Sequence, residues 1–158
     1  MQRGDAMAVR IHVETVINRP IDQVFPYVSD FTKLPQLDPA VLSIERANDG
    51  PDRVGAIWTH TRKAGGRVIT APIRLTEYDA PNRMAHVSES GPVRVEVTMI
   101  FKRQGANTRV IEDLEMAIKW PLKFLQPMIA RDTNKSAAAI HTRFKKLLEA
   151  DATAAGSP

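Results

Sequence analysis

The chain has 158 residues, 43% of them hydrophobic and 25% charged, with 22 Lys and Arg against 18 Asp and Glu. That is one domain's length and a globular balance, able to bury about two-thirds of its unfolded surface without staples. The composition excludes a disordered or collagen-like chain, the absence of cysteine excludes disulfides, thiolate nucleophiles and cysteine metal sites, and a net charge of +4 is too small to argue for nucleic acid.

Residues 1–8 lack the apolar stretch of a signal peptide and are expected to be a flexible extension, with Met7 an alternative start. Residues 9–17 alternate: Val9, Ile11, Val13, Thr15 and Ile17 share one face, and Arg10, His12 and Glu14 the other. That is the pattern of a half-buried strand. Asn18-Arg19-Pro20 breaks it, and Pro20 suits the first turn of a helix carrying Val24, Phe25 and Val28. Ser29-Asp30 reads as the cap of a second short helix, with Phe31, Leu34 and Leu37 inward and Pro35 and Pro39 keeping it short.

Strand then follows strand, over 41–47, 57–62, 68–78, 84–89, 93–103 and 108–118. The turns between them are marked by Asn48-Asp49-Gly50-Pro51, Gly65-Gly66, Ala80-Pro81-Asn82, Gly91-Pro92 and Gly105 to Asn107. Seven strands with short turns predict an antiparallel meander. A long helix begins near Pro121 and runs to about residue 150, with Leu122, Leu125, Ile129, Thr133, Ser136, Ile140, Phe144 and Leu147 at steps of three and four. Pro127 should kink it or set off a first turn, and Lys145 and Lys146 suit a helix C-terminus. Residues 151–158 are small and polar and are expected to be a flexible tail after a single domain over 9–150. The expected fold is α+β: a seven-stranded antiparallel curved sheet wrapped around one long C-terminal helix, with two short helices after the first strand.

The order of these pieces resembles the polyketide cyclase/dehydrase and lipid-transport family of the START-like (SRPBCC, helix-grip) superfamily. The residues that carry the likeness are Ile17, Pro20, Val24-Phe25, Val28, Asp30 and Leu34-Pro35, then Val54-Gly55 leading to Trp58. Glu77 through Met84, Thr108-Arg109-Val110 and the closing amphipathic helix complete it, so the match runs over about 11–148. The resemblance implies a hydrophobic cavity between sheet and helix, but no single activity, since the superfamily holds cyclases, carriers and chaperone activators. It also implies a chain that needs no cofactor.

The long helix itself hints at a void. Its inner stripe turns small or polar at Thr133, Ser136 and Ala137, between Ile129 and Ile140. A packed interior would fill that space, whereas a cavity opposite a curved sheet would not. Candidate lining residues are Met99 and Phe101 on one strand, Glu112 and Met116 on the next, and Trp58 and His60 on a third, where Ile57, Thr59 and Thr61 compete as the inner set. Ser136 would line the helix side, while Phe124, Met128, Tyr27 and Phe31 would form a mouth. For each strand residue, simple core packing is the competing reading.

Glu112 stands out, an acid in register with Val110, Leu114 and Met116. A buried carboxylate must find a partner or hold its proton. His60 or Arg74 would supply that partner from across the cavity, and a Glu–His pair is the minimum for acid–base work on a polyketide-like substrate. A twist that turns Glu112 to solvent, or an edge pair with Arg10 or Arg19, remains open. His12 and His141 read as surface residues, and His86 lies on a strand. No histidine pair has metal-ligand spacing, so no metal is expected. Arg62, Lys63 and Arg67 flank the Gly65-Gly66 turn, as a solvated hairpin tip or as a steering site for an anionic head-group.

Two functions follow. One is binding or transport of a hydrophobic small molecule, a lipid, polyketide or isoprenoid; the other is a cyclase/dehydrase using Glu112 and His60. The sparse polarity of the lining favours binding. A protein-interaction module is a third reading, though no exposed apolar patch is obvious. Asn134-Lys135-Ser136 matches a glycosylation sequon and reads as chance without a secretory signal. No apolar run reaches the roughly 18 residues of a membrane span. The expected partner is a hydrophobic ligand rather than nucleic acid, and the expected location is the cytoplasm.

Overall fold

The alternation that starts at Val9 forms the first strand of a seven-stranded antiparallel sheet in a computed structural model describing residues 9–155, with side chains through residue 150. The extension expected over 1–8 and the side chains of the tail expected over 151–158 lie outside the described residues. The strands are β1 (Val9–Ile17), β2 (Val41–Arg46), β3 (Ile57–Ala64), β4 (Arg67–Asp79), β5 (Arg83–Ser90), β6 (Val93–Gln104) and β7 (Asn107–Ile118). Their order is β1-β7-β6-β5-β4-β3-β2, so β2 to β7 form successive hairpins and β1 pairs with the last strand. At the β3–β4 turn Gly65 and Gly66 adopt φ of +56° and +78°. Two consecutive positive φ values make a turn whose twist matches the flanking strands, and side chains with a Cβ resist both.

Two short helices carry the chain from one sheet edge to the other. Pro20 precedes α1 (Ile21–Val28), and a 3-10 turn (Phe31–Lys33) leads into α2 (Leu34–Leu37). The Asp30 carboxylate accepts from the Thr32 amide at 3.0 Å, the capping role its position predicts. Ile21, Val24, Phe25, Phe31 and Leu37 are buried against the sheet. Phe25 meets Tyr78 and Phe101 edge-on at 5.5 and 5.0 Å between ring centres.

After β7 a 3-10 turn (Leu122–Leu125) precedes α3 (Gln126–Ala155). Pro127 lies in the first turn of α3, where a missing N–H breaks no helical hydrogen bond, so it sets off that turn instead of kinking the helix. Because α3 continues to Ala155, Lys145 and Lys146 do not sit at its end. Lys145 instead donates to the Val16 carbonyl at 2.5 Å and pairs with Glu149 at 2.8 Å, tying α3 to β1.

The inner stripe of α3 differs from the expected one. Ala137, His141, Phe144 and Leu148 are buried, while Ser136 and Leu147 are exposed. Steps of three and four fit both stripes, which lie one residue apart around the helix. Packing on β1 selects between them. The core divides accordingly: one cluster around Phe25, Val110, Phe144 and Leu148, and a second of Val9, Ile11, Met116, Ile118 and Ala137.

Candidate functional site

Strand alternation sorts the expected site residues onto faces. Trp58 lies opposite Ile73, and His60 opposite Ala71. His86 lies between Leu75 and Val97, and Glu112 between Val13 and Met99. All belong to the surface that faces α3, which settles β3 in favour of Trp58 and His60. Arg74 is opposite Ile57 and Val87, one residue out of phase with Ile73 and Leu75. It therefore projects from the outer face and is not the partner of Glu112. That outer face carries ion pairs such as Arg10–Glu115 at 3.7 Å, His12–Asp113 at 2.6 Å and Arg94–Glu96 at 2.6 Å. Its grooves are lined by these charges.

The partner of Glu112 is His141, whose Nε2 lies 3.2 Å from the carboxylate. The Thr15 hydroxyl is 3.1 Å from Nδ1 of the same ring. Both contacts are met when Nε2–H donates to the Glu112 carboxylate and Nδ1 shares a hydrogen bond with the Thr15 hydroxyl. His141, expected at the surface, is 1% exposed, and its ring centre lies 4.6 Å from that of Phe144. Burial on the stripe one residue beyond Ile140 explains the difference. Neither Arg10 nor Arg19 meets Glu112: Arg10 pairs with Glu115, and Arg19 donates to the Leu148 carbonyl at 3.0 Å.

A second polar group lies across the same face. Trp58 Nε1, His60 Nδ1 and His86 Nδ1 are buried and have no hydrogen-bond partner among the described residues. Phe31 joins two of them, its ring 6.0 Å from Trp58 and 5.2 Å edge-on from His86. Burial is the main cause that drives the His86 pKa down to about 4, opposed by the Glu112 charge and reinforced by His60. Burial also lowers His60, with Arg62 adding to the effect and Asp38 opposing it. Both imidazoles are therefore neutral at neutral pH, each with one N–H and one acceptor nitrogen.

The remaining expected residues separate by depth. Phe31, Met99, Phe101 and Met116 are buried in the core. Tyr27 is half-buried, with the Lys33 ammonium 4.7 Å above its ring. Phe124, Met128 and Ser136 are exposed. His86, His141 and Thr15 enter the polar constellation without having been singled out as site residues. For His86 the signal was available, since Met84, His86 and Ser88 alternate onto one face. Although α3 covers this surface, Val93, Val95 and Leu114, with Ile129, Thr133 and Ile140 of α3, stay only half-buried. Arg62, at the Gly65-Gly66 hairpin, is held by the buried Asp38 at 3.3 Å. Among the described residues no three His, Asp or Glu side chains are grouped to hold a metal ion.

A curved antiparallel sheet around a long C-terminal helix, with two short helices after the first strand, is the helix-grip arrangement of START-like proteins. The chain belongs to the polyketide cyclase/dehydrase and lipid transport family, whose model matches residues 8–149. No curated protein matches it. Among solved structures it is similar to a protein from Thermus thermophilus, with a TM-score of 0.76 at 21% identity, over 94% of this chain and 99% of that one. It is similar to the Zhui aromatase/cyclase from Streptomyces sp. R1128 (TM-score 0.78, 15% identity, 96% of this chain and 99% of that one). A START superfamily protein from Mycobacterium smegmatis aligns with a TM-score of 0.62 at 15% identity, over 85% of this chain and 98% of that one. At these identities the likeness is one of fold. Among the described residues no helix is long and apolar enough to cross a membrane.

Proposed function

We propose that this chain binds a hydrophobic small molecule between the sheet and α3, with an uncharged hydrogen-bonding end of the ligand seated on Trp58, His60 and His86. The observation that carries the reading is the set of three buried polar atoms without partners among the described residues, on a face whose Glu112, His141 and Thr15 are already paired with one another. Each such atom left dry costs roughly 1–3 kcal/mol, and a ligand oxygen placed among them would remove that penalty. The half-buried Val95, Leu114 and Ile140 leave apolar surface for the ligand's body. Membership of a family that includes lipid transport supports a hydrophobic ligand of the lipid, polyketide or isoprenoid kind.

The charge state of the site narrows the ligand's polar end. Both histidines are neutral, and Arg62 is occupied by Asp38. An alcohol, ketone or phenol suits these groups better than a carboxylate, which would enter an apolar region without a counter-charge. The enzymatic reading would rest on Glu112 and His141. Both are already engaged, His141 through both ring nitrogens, so the pair supports packing more directly than proton transfer.

The test compares 2-naphthol with 2-naphthoate as competitors of a bound apolar fluorophore. Naphthol should compete at least about tenfold better. His86→Leu should weaken naphthol by about 1 kcal/mol, the scale of one hydrogen bond. Glu112→Gln should change affinity no more than that. Preference for naphthoate, or no binding of the fluorophore by the native chain, would defeat the proposal. A reaction slowed roughly 10²-fold or more by Glu112→Gln would establish the enzymatic reading instead.

A further inference from the structure

We propose that the turn joining β7 to α3 docks on the surface of an anionic lipid bilayer. The inference stands on side chains outside the concave face and does not depend on the ligand reading. Trp120, Phe124 and Met128 are 84%, 76% and 48% exposed. They recur every fourth residue through the 3-10 turn into the start of α3. Leu122, Ile129 and Ala130 of the same segment pack inward against the cluster of Val9, Ile11, Met116 and Ile118. The segment is thus anchored by one side and presents the large apolar side chains on the other. Three such side chains in one short segment form a patch of the kind that marks an interaction surface.

The charges around the patch choose the partner. Between residues 119 and 135 lie Lys119, Lys123, Arg131 and Lys135, with Asp132 the one acid. Lys119, Arg131 and Lys135 are exposed and Lys123 is half-buried. Lysine is depleted in protein–protein interfaces, whereas a lysine and arginine fringe around Trp and Phe suits an anionic headgroup layer over acyl chains. The indole of Trp120 fits the boundary itself, with an apolar body and a polar N–H. The segment is too short to cross a bilayer, so it would lie in the interface.

Co-sedimentation of the full chain with vesicles tests this. Vesicles of phosphatidylcholine with about 30% phosphatidylglycerol should bind at least about tenfold more tightly than phosphatidylcholine alone. Salt at about 0.5 M should remove most of that difference. The double variant Trp120→Ala, Phe124→Ala should lower partitioning at least about tenfold while its melting curve stays unchanged, since both side chains are exposed. Lys119→Gln and Lys135→Gln should each lower it about fivefold on the anionic vesicles only. Absence of binding to either vesicle, or equal binding by the double variant, overturns the proposal. So does a concentration-dependent dimer that the double variant disperses, which would assign the patch to a second copy of the chain.

Discussion

His86 and His141 both hold ring nitrogens away from water, yet they stand in opposite conditions. Both nitrogens of His141 have partners, whereas Nδ1 of His86 has none among the described residues. That difference has a signature in pH. Burial depresses His86 from 6.5 to about 4 in the folded protein, so below 6.5 the unfolded chain takes up the proton first. Stability is complete above pH 6.5 and is lost as the pH falls toward about 4, by roughly 3 kcal/mol for this group at about 1.36 kcal/mol per unit. His60, lowered for the same reason, adds loss in the same direction. His86→Phe should therefore lose less stability than the native protein between about pH 7.5 and about pH 4.5, measured as urea midpoints. Equal losses would show that His86 is not held neutral. At this scale Glu112 was visible as an acid on an apolar face, but its partner was not. Strand alternation exposes a misfit within one segment, and nothing in the segment specifies that a helix residue 29 positions later will meet it.

The phase of α3 decides which helix residues enter the core. The buried stripe runs through Ala137, His141, Phe144 and Leu148, leaving Leu147 outside. Phe144→Ala should cost about 3–5 kcal/mol and Leu148→Ala about 2–5 kcal/mol in denaturant melts, with Leu147→Ala below about 1 kcal/mol. A reversal of the last two would place α3 on the stripe suggested by spacing alone. The strands were more legible than the helix because their period of two leaves only two faces, and a Gly or Pro turn marks each end. A helix offers a continuum of phases, and adjacent apolar residues such as Leu147 and Leu148 make two of them equally plausible.

Over the whole molecule, β1 and β2 occupy opposite edges of the sheet while α3 packs along β1. On β6 and β7 the concave face is less completely covered, and there Val93, Val95 and Leu114 keep partial exposure, while Ile73, Leu75 and Met84 on β4 and β5 are buried. Val95→Phe would add volume at that point. It should weaken binding of an apolar fluorophore at least about tenfold, with a stability change within about 1–3 kcal/mol. Unchanged affinity would place the bound molecule elsewhere.

Local pattern was enough to set the element order, the seven strands, the two short helices and the face assignment of most strand residues. Each depends on neighbours within a few positions, through periodicity, turn geometry and the missing proline N–H. Tertiary structure alone decided the pairing of Glu112 with His141 and Thr15. It also decided the meeting of Trp58 and His86 around Phe31, and the exposure of Trp120 and Phe124. These depend on which distant elements come together. Burial, and with it the protonation of a histidine or the solvation of an indole, belongs to the assembled surfaces and not to any segment.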